Sequence, residues 1–338
     1  MNDFNPEGKQ ENDPAGPDNS SPDNPSPDAS EPSREPITGF TFPSRLNYPT
    51  FSGYGSAHYQ PLAEEPALPR LIPNIGHTLL FFLIAFILMI FTEIAATVLY
   101  QLAIHGPQSG PGLNKALKII ATNPIYSIPA QTAAYGLLIL LSIPVFEAIW
   151  FQSFGKAIHW NFRTAQHRFW RLAAIGLAAG LLIGSLGNFL PMPKSPPIIK
   201  DMMSSTSGAW FMLLFGITAA PMTEELAFRG FLLPSLINIF RWFERLGLSN
   251  QAVTRYIGIP VSILLTTIPF ALLHASQVSD AWGPLLLIAT VSVILCIVRL
   301  VTKSVAAGAV VHAAYNFVLF AGVLLQTSGF QHLHKLGS

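Results

Sequence analysis

Half of the 338 residues are apolar and only 11% are charged. An ordinary soluble domain carries about 25% charged residues, so the composition excludes a water-soluble globular enzyme and points to a chain that lies largely in lipid. The net charge of +1 hides two opposite parts: residues 1–68 hold eleven Asp/Glu and three Lys/Arg (net −8), and residues 69–338 hold seven and sixteen (net +9). The single cysteine, Cys296, excludes an internal disulfide and a cysteine-based zinc site; inside an apolar run it reads as a small buried hydrophobe.

Residues 1–70 repeat Asp-Pro, Ser-Pro and Glu-Pro and have too few apolar side chains to order themselves, so a disordered tail is expected there. It lacks the basic start and apolar core of a secretory signal. Gly53-x-Gly55 has no strand before it and is no nucleotide loop. Residues 71–330 read as an all-α polytopic membrane bundle. Runs of about 20 apolar residues, the length of a spanning helix, fall near 78–104, 130–151, 170–190, 208–239, 257–275, 284–301 and 305–325.

The fourth run is the ambiguous one. At 1.5 Å per residue it is roughly 48 Å long, so it is either one tilted helix kinked at Pro221 or two crossings. The distribution of basic residues arbitrates. With a single crossing, ten Lys/Arg collect on one side, among them Arg70, Arg241, Arg245, Arg255, Arg299 and Lys303, against five on the other (Lys115, Lys118, Lys194, Lys200 and Lys335). Two crossings give a weaker six-to-nine split. One long helix follows, with the N-terminus in the cytoplasm and a bacterial cytoplasmic membrane as the expected location. Basic and aromatic residues interleave between Lys156 and Arg171, as suits a segment at lipid headgroups. The partners expected are the bilayer and a membrane-associated substrate, not nucleic acid.

Seven acidic residues lie beyond the tail. Asp201, Glu244 and Asp280 fall in loops, and Glu93 and Glu147 read as structural or interfacial. Ser205-Thr-Ser207-Gly208 reads as a helix cap. The remaining pair stands in Pro221-Met-Thr-Glu224-Glu225-Leu-Ala-Phe-Arg229-Gly230. In lipid each charge costs roughly 2.5–3.5 kcal/mol on insertion scales, so the cluster marks a functional site. Glu225 and Arg229 are four apart, share a helix face and can neutralise one another. Glu224, about 100° around the helix, has no such partner and is free to act as a general base. Phe270 and His274 form a second i, i+4 pair in the fifth run, and His312 and Asn316 a third in the seventh. There is no H-E-x-x-H zinc helix, and no aspartate lies within a crossing.

E-E-x-x-x-R, F-x-x-x-H and H-x-x-x-N, in that order on separate apolar helices, resemble the CPBP family. That family holds type II CAAX prenyl endopeptidases and the bacteriocin-processing or self-immunity proteins also called Abi. The resemblance covers about 170–325. It implies a membrane-embedded endopeptidase in which Glu224 activates water and Glu225 with Arg229 holds it in place. His274 would position the water or take its proton, and His312 with Asn316 would stabilise the oxyanion. The family is named for metalloproteases; were a divalent ion such as zinc involved, Glu224, His274 and His312 would be its ligands, and a metal-free glutamate mechanism fits the motifs equally. A non-catalytic immunity or scaffold protein of the same family is the alternative. The family has eight crossings where seven are counted here. His274 is also about 17 residues into its helix and His312 about 7 into its own, a depth mismatch of roughly 15 Å. The two meet only if the sixth and seventh helices turn deep in the membrane or the fifth starts below the surface.

Overall fold

The computed structural model describes residues 70–105, 112–193 and 205–333. The tail at 1–69, together with Lys194, Lys200, Asp201 and Lys335, lies outside the described residues. Among those described, every regular element is helical, and seven helices are long and apolar enough to cross a membrane. They begin with α1 (Ile75–His105), a short amphipathic α2 (Leu113–Thr122) that the apolar runs did not reveal, and α3 (Pro124–Trp150). Two short helices, α4 (Phe154–Ala157) and α5 (Phe162–His167), lead into α6 (Phe169–Gly187). The fourth span, Thr206–Arg245, is assembled from α7 (Thr206–Ile217), α8 (Ala219–Glu225), a π-helical stretch (Leu226–Leu232) and α9 (Leu233–Arg245). The fifth span runs Gln251–Leu273 and ends in α10 (Ile259–Leu273); α11 (Trp282–Thr302) and α12 (Val305–Gln326) complete the bundle.

The fourth span is one crossing, and its contacts with α12 show why. Gly308 lies against Glu225, Asn316 Nδ2 donates to Gly216 O at 2.7 Å, and Thr206 Oγ1 donates to Phe330 O at 3.0 Å. As one chain ascends the other descends without reversal, so 206–225 runs antiparallel to α12 in a single direction. The break falls at Thr218 (φ −127°, ψ −84°), three residues before Pro221. Pro221 is thereby the third residue of α8, where the backbone N–H would have no intrahelical partner in any case.

α6 packs along α12 in the same direction: Gly176 faces Val311 O and Ala314, and Gly180 faces Val318. A Cβ on Gly176 would sit 2.3 Å from Val311 O, so only glycine permits this approach, the use of small residues typical of helix contacts in lipid. Facing outward, α1 exposes Leu79, Leu83, Phe86 and Phe91, as expected of a lipid-facing helix. Its inner face joins an aromatic core in which Phe81 stacks on Phe231 at 4.3 Å between ring centroids and Phe146 lies 4.8 Å from Phe231.

His274 and His312 do meet, each with Nε2 within 4 Å of Glu224 Oε2, and the packing at the start of α12 is part of how. Ser304 is fully buried; its Oγ donates to Asn161 O at 2.9 Å, and Val305 N donates to His159 O at 3.1 Å. The start of α12 is therefore buried under the α4–α5 segment, while Val301 and Lys303 just before it are exposed. That segment is pinned from the other side by Glu147, whose Oε1 accepts from Phe154 N at 2.8 Å, a structural role. Arg299, counted above among the surface cations of one side, is instead buried: Nε donates to Arg229 O at 3.1 Å and Nη2 reaches Ile158 O at 3.5 Å. Glu244 lies within α9 and not in a loop. Ser205 caps α7, its Oγ accepting from Gly208 N at 3.0 Å, and Cys296 is free and buried.

Candidate active site

Four elements converge on one point: the end of α8 with the π stretch that follows it, the C-terminal end of α10, the middle of α11 and the first half of α12. The two glutamates part company at the α-to-π boundary. Glu225 closes α8 with no accessible surface, and Arg229 Nη1 donates to its Oε1 at 2.8 Å, both side chains fully buried. π turns inside helices are frequent at functional sites; here the switch immediately follows the Glu pair and carries Arg229.

A buried ion pair recovers its desolvation cost only when the remaining donors are also satisfied. Arg229 Nη2 donates to both the carbonyl and the hydroxyl of Ser292 at 2.9 Å each, whereas Nε has no hydrogen-bond partner among the described residues. The guanidinium also lies 4.5 Å from the centroid of the Phe270 ring, within cation–π range. On the carboxylate side, Oε1 additionally accepts from His312 Nδ1 at 3.1 Å. Oε2 has no hydrogen-bond partner among the described residues and lies against Gly308, where a Cβ would come within 2.6 Å of it. Neither Ser292 nor Gly308 stood out in the sequence. Ser292 and Arg299 are seven apart on α11, and that shared face was the available signal.

Glu224 is held quite differently. It makes no ion pair with Lys or Arg among the described residues, and one-fifth of its side chain is exposed. Its Oε2 faces His274 Nε2 at 3.9 Å and His312 Nε2 at 3.7 Å, too far for direct hydrogen bonds. The tautomers follow from what the other ring nitrogens touch. His274 Nδ1 donates to Phe270 O at 2.9 Å, and His312 Nδ1 donates to the Glu225 carboxylate. In the neutral imidazoles both Nε2 atoms are therefore acceptors aimed at Glu224, and either becomes a donor only when its ring is protonated. Phe270 fixes both rings, with centroids 5.0 Å from His274 and 5.9 Å from His312.

Five of the six residues singled out in the sequence thus meet: Glu224, Glu225, Arg229, His274 and His312. Asn316 is one turn along α12 from His312, with one amide hydrogen given to Gly216 O. Three lone-pair groups facing one another would suit a cation chemically. Their Nε2–Oε2 separations, however, exceed the about 3.4 Å edge of a tetrahedron with about 2.1 Å bonds, and among the described residues no three His, Cys, Asp or Glu side chains gather as a metal-holding group. As spaced, the set does not close around a metal ion.

Comparison with curated proteins and with solved structures returns no match. Residues 206–318, which hold all six site residues, match the family model described as Rce1-like, type II CAAX prenyl endopeptidase Rce1-like, so this stretch of the membrane body is similar to that protease family.

Proposed function

We propose that this protein is an intramembrane endopeptidase that hydrolyses a peptide bond of a membrane-associated protein or peptide, with Glu224 as the base that activates water. The observation that carries the proposal is the division between the two glutamates. Glu225 is consumed by Arg229 and His312, whereas Glu224 is partly exposed and faces two imidazole lone pairs.

A water molecule bridging Glu224 Oε2 and an imidazole Nε2 can donate one hydrogen to each, a geometry suited to a separation beyond direct bonding. As its oxygen adds to the scissile carbonyl, its proton passes to Glu224. The tetrahedral oxyanion then needs donors. Asn316 has a second amide hydrogen to offer; a His312 already protonated from solvent before the cycle begins also donates from Nε2, its charge balanced by Glu225, and keeps that proton throughout while His274 accepts the water's other hydrogen. Collapse of the intermediate breaks the C–N bond, and protonated Glu224 returns its proton to the leaving amine.

The test uses the purified full-length protein in neutral detergent with internally quenched CAAX-type peptides, prenylated and unprenylated. Glu224→Gln is expected to lower kcat by about 10²–10⁴-fold, the usual worth of a general base, with KM and the thermal midpoint little changed. An unchanged kcat would end the assignment of Glu224. Absence of cleavage in the parent protein with both peptides, beside a full cellular phenotype in the variant, would favour the non-catalytic scaffold instead.

A further inference from the structure

The end of the bundle where α9 stops and the fifth span begins carries cations that peptide hydrolysis does not use. An open cavity of about 610 Å³ lies there, with Arg241, Arg245 and Arg255 in its wall beside Gln251 and Thr254, and apolar Leu71 and Ile259 completing it. That volume falls within the range of small-molecule sites. The one carboxylate in the wall, Glu244, accepts from Thr254 Oγ1 at 3.0 Å. None of the three guanidiniums makes an ion pair among the described residues. Arg241 has only a long 3.4 Å bond to Asn238 Oδ1, and Arg255 lies 5.6 Å from the Tyr256 ring centroid. Three planar forks around one cavity, opposed by a single carboxylate, match the oxygens of a phosphate group.

The surroundings narrow the source. Trp242, Phe243, Tyr256 and Leu248 are exposed beside the arginines, the arrangement of an aromatic belt at a membrane interface. Basic pockets between spanning helices at such a level bind the headgroups of anionic lipids. We propose that this cavity is a binding site for a phosphate-bearing anion, with an anionic phospholipid headgroup as the occupant its apolar and aromatic rim selects. The site stands independently of the proteolytic assignment.

The test is the thermal midpoint of the full-length protein in neutral detergent, titrated with dioctanoyl phosphatidylglycerol, dioctanoyl phosphatidylcholine or inorganic phosphate. Phosphatidylglycerol is expected to raise the midpoint saturably while phosphatidylcholine does not. The Arg245→Gln/Arg255→Gln double variant is expected to lose that response, with apparent affinity weakened about tenfold or more per arginine. A response to inorganic phosphate equal to that of phosphatidylglycerol would support the phosphate site and overturn the headgroup as its occupant. An equal response to phosphatidylcholine, or a phosphatidylglycerol response that survives in the double variant, would overturn the site itself. The single Arg255→Gln variant, altered only at an exposed side chain, repeats the test should the double variant fold poorly.

Discussion

At Glu225 and Arg229 the cost of burying charge in a helix bundle is offset by several partners, namely each other, His312, Ser292 and the Phe270 ring, with Glu225 Oε2 and Arg229 Nε left without a hydrogen bond among the described residues. Breaking such a set from one side leaves an uncompensated charge, so Arg229→Met should destabilise the protein by about 3–5 kcal/mol, read as a lower thermal midpoint. Ser292→Ala should cost only about 0.5–1.5 kcal/mol, because the Ser292 carbonyl still accepts from Arg229. Gly308→Ala forces a methyl group towards Glu225 Oε2 and should cost about 1–3 kcal/mol as an overpacked site. It should also reduce cleavage, since Glu225 orients His312. Glu224→Gln belongs to the opposite class, with activity lost and stability kept. Sequence spacing was enough to separate the two glutamates, because i, i+4 pairing is a property of one helix. It could not reveal Ser292, Gly308 or the imidazole tautomers, which depend on contacts between helices.

Among elements, the turn between α11 and α12 does most to form the site, because α12 starts from it and carries His312 to Glu224 and Glu225. The cover over it is the α4–α5 segment, held through Asn161 and His159. His159 adopts a left-handed backbone (φ 60°). Its pKa is lowered from 6.5 first by partial burial and then by Arg299, Arg241 and Lys303. A folded-state pKa below the unfolded one means that the unfolded chain binds more protons. The contribution to stability is therefore present above pH 6.5 and is lost as pH falls through the lowered value. His159→Asn tolerates the same backbone and cannot titrate. Its thermal midpoint should fall less than that of the parent protein as pH drops below 6.5, measured by differential scanning fluorimetry.

For the whole molecule, the hydrogen bonds between connections show which helix ends share a side. The α11–α12 turn bonds to the segment joining α3 and α6, and Thr206 at the start of the fourth span bonds to Phe330 beyond α12. These pairings agree with strict alternation of seven crossings. Cysteines at Lys115 and Arg245 should accordingly label from opposite faces of sealed vesicles with an impermeant maleimide, Arg245 from the cytoplasmic face. Buried Cys296 should add little background. Chelation tests the other open property of the assembly. Cleavage should persist after exhaustive EDTA treatment, and a loss that zinc restores would assign a metal to Glu224, His274 and His312.

The sequence by itself determined the helical membrane class, seven apolar spans and the split between a paired and an unpaired glutamate. Those features rest on apolar run length, the 3.6-residue period and local charge pairing, all readable along one chain. Only the tertiary structure decided that the break in the fourth span falls at Thr218, that Arg299 is buried against Arg229 O, and that α12 starts beneath the α4–α5 cover. Each of these turns on which backbone carbonyls and glycines approach one another between helices, and in lipid-facing helices the apolar pattern is too uniform around the axis to specify that.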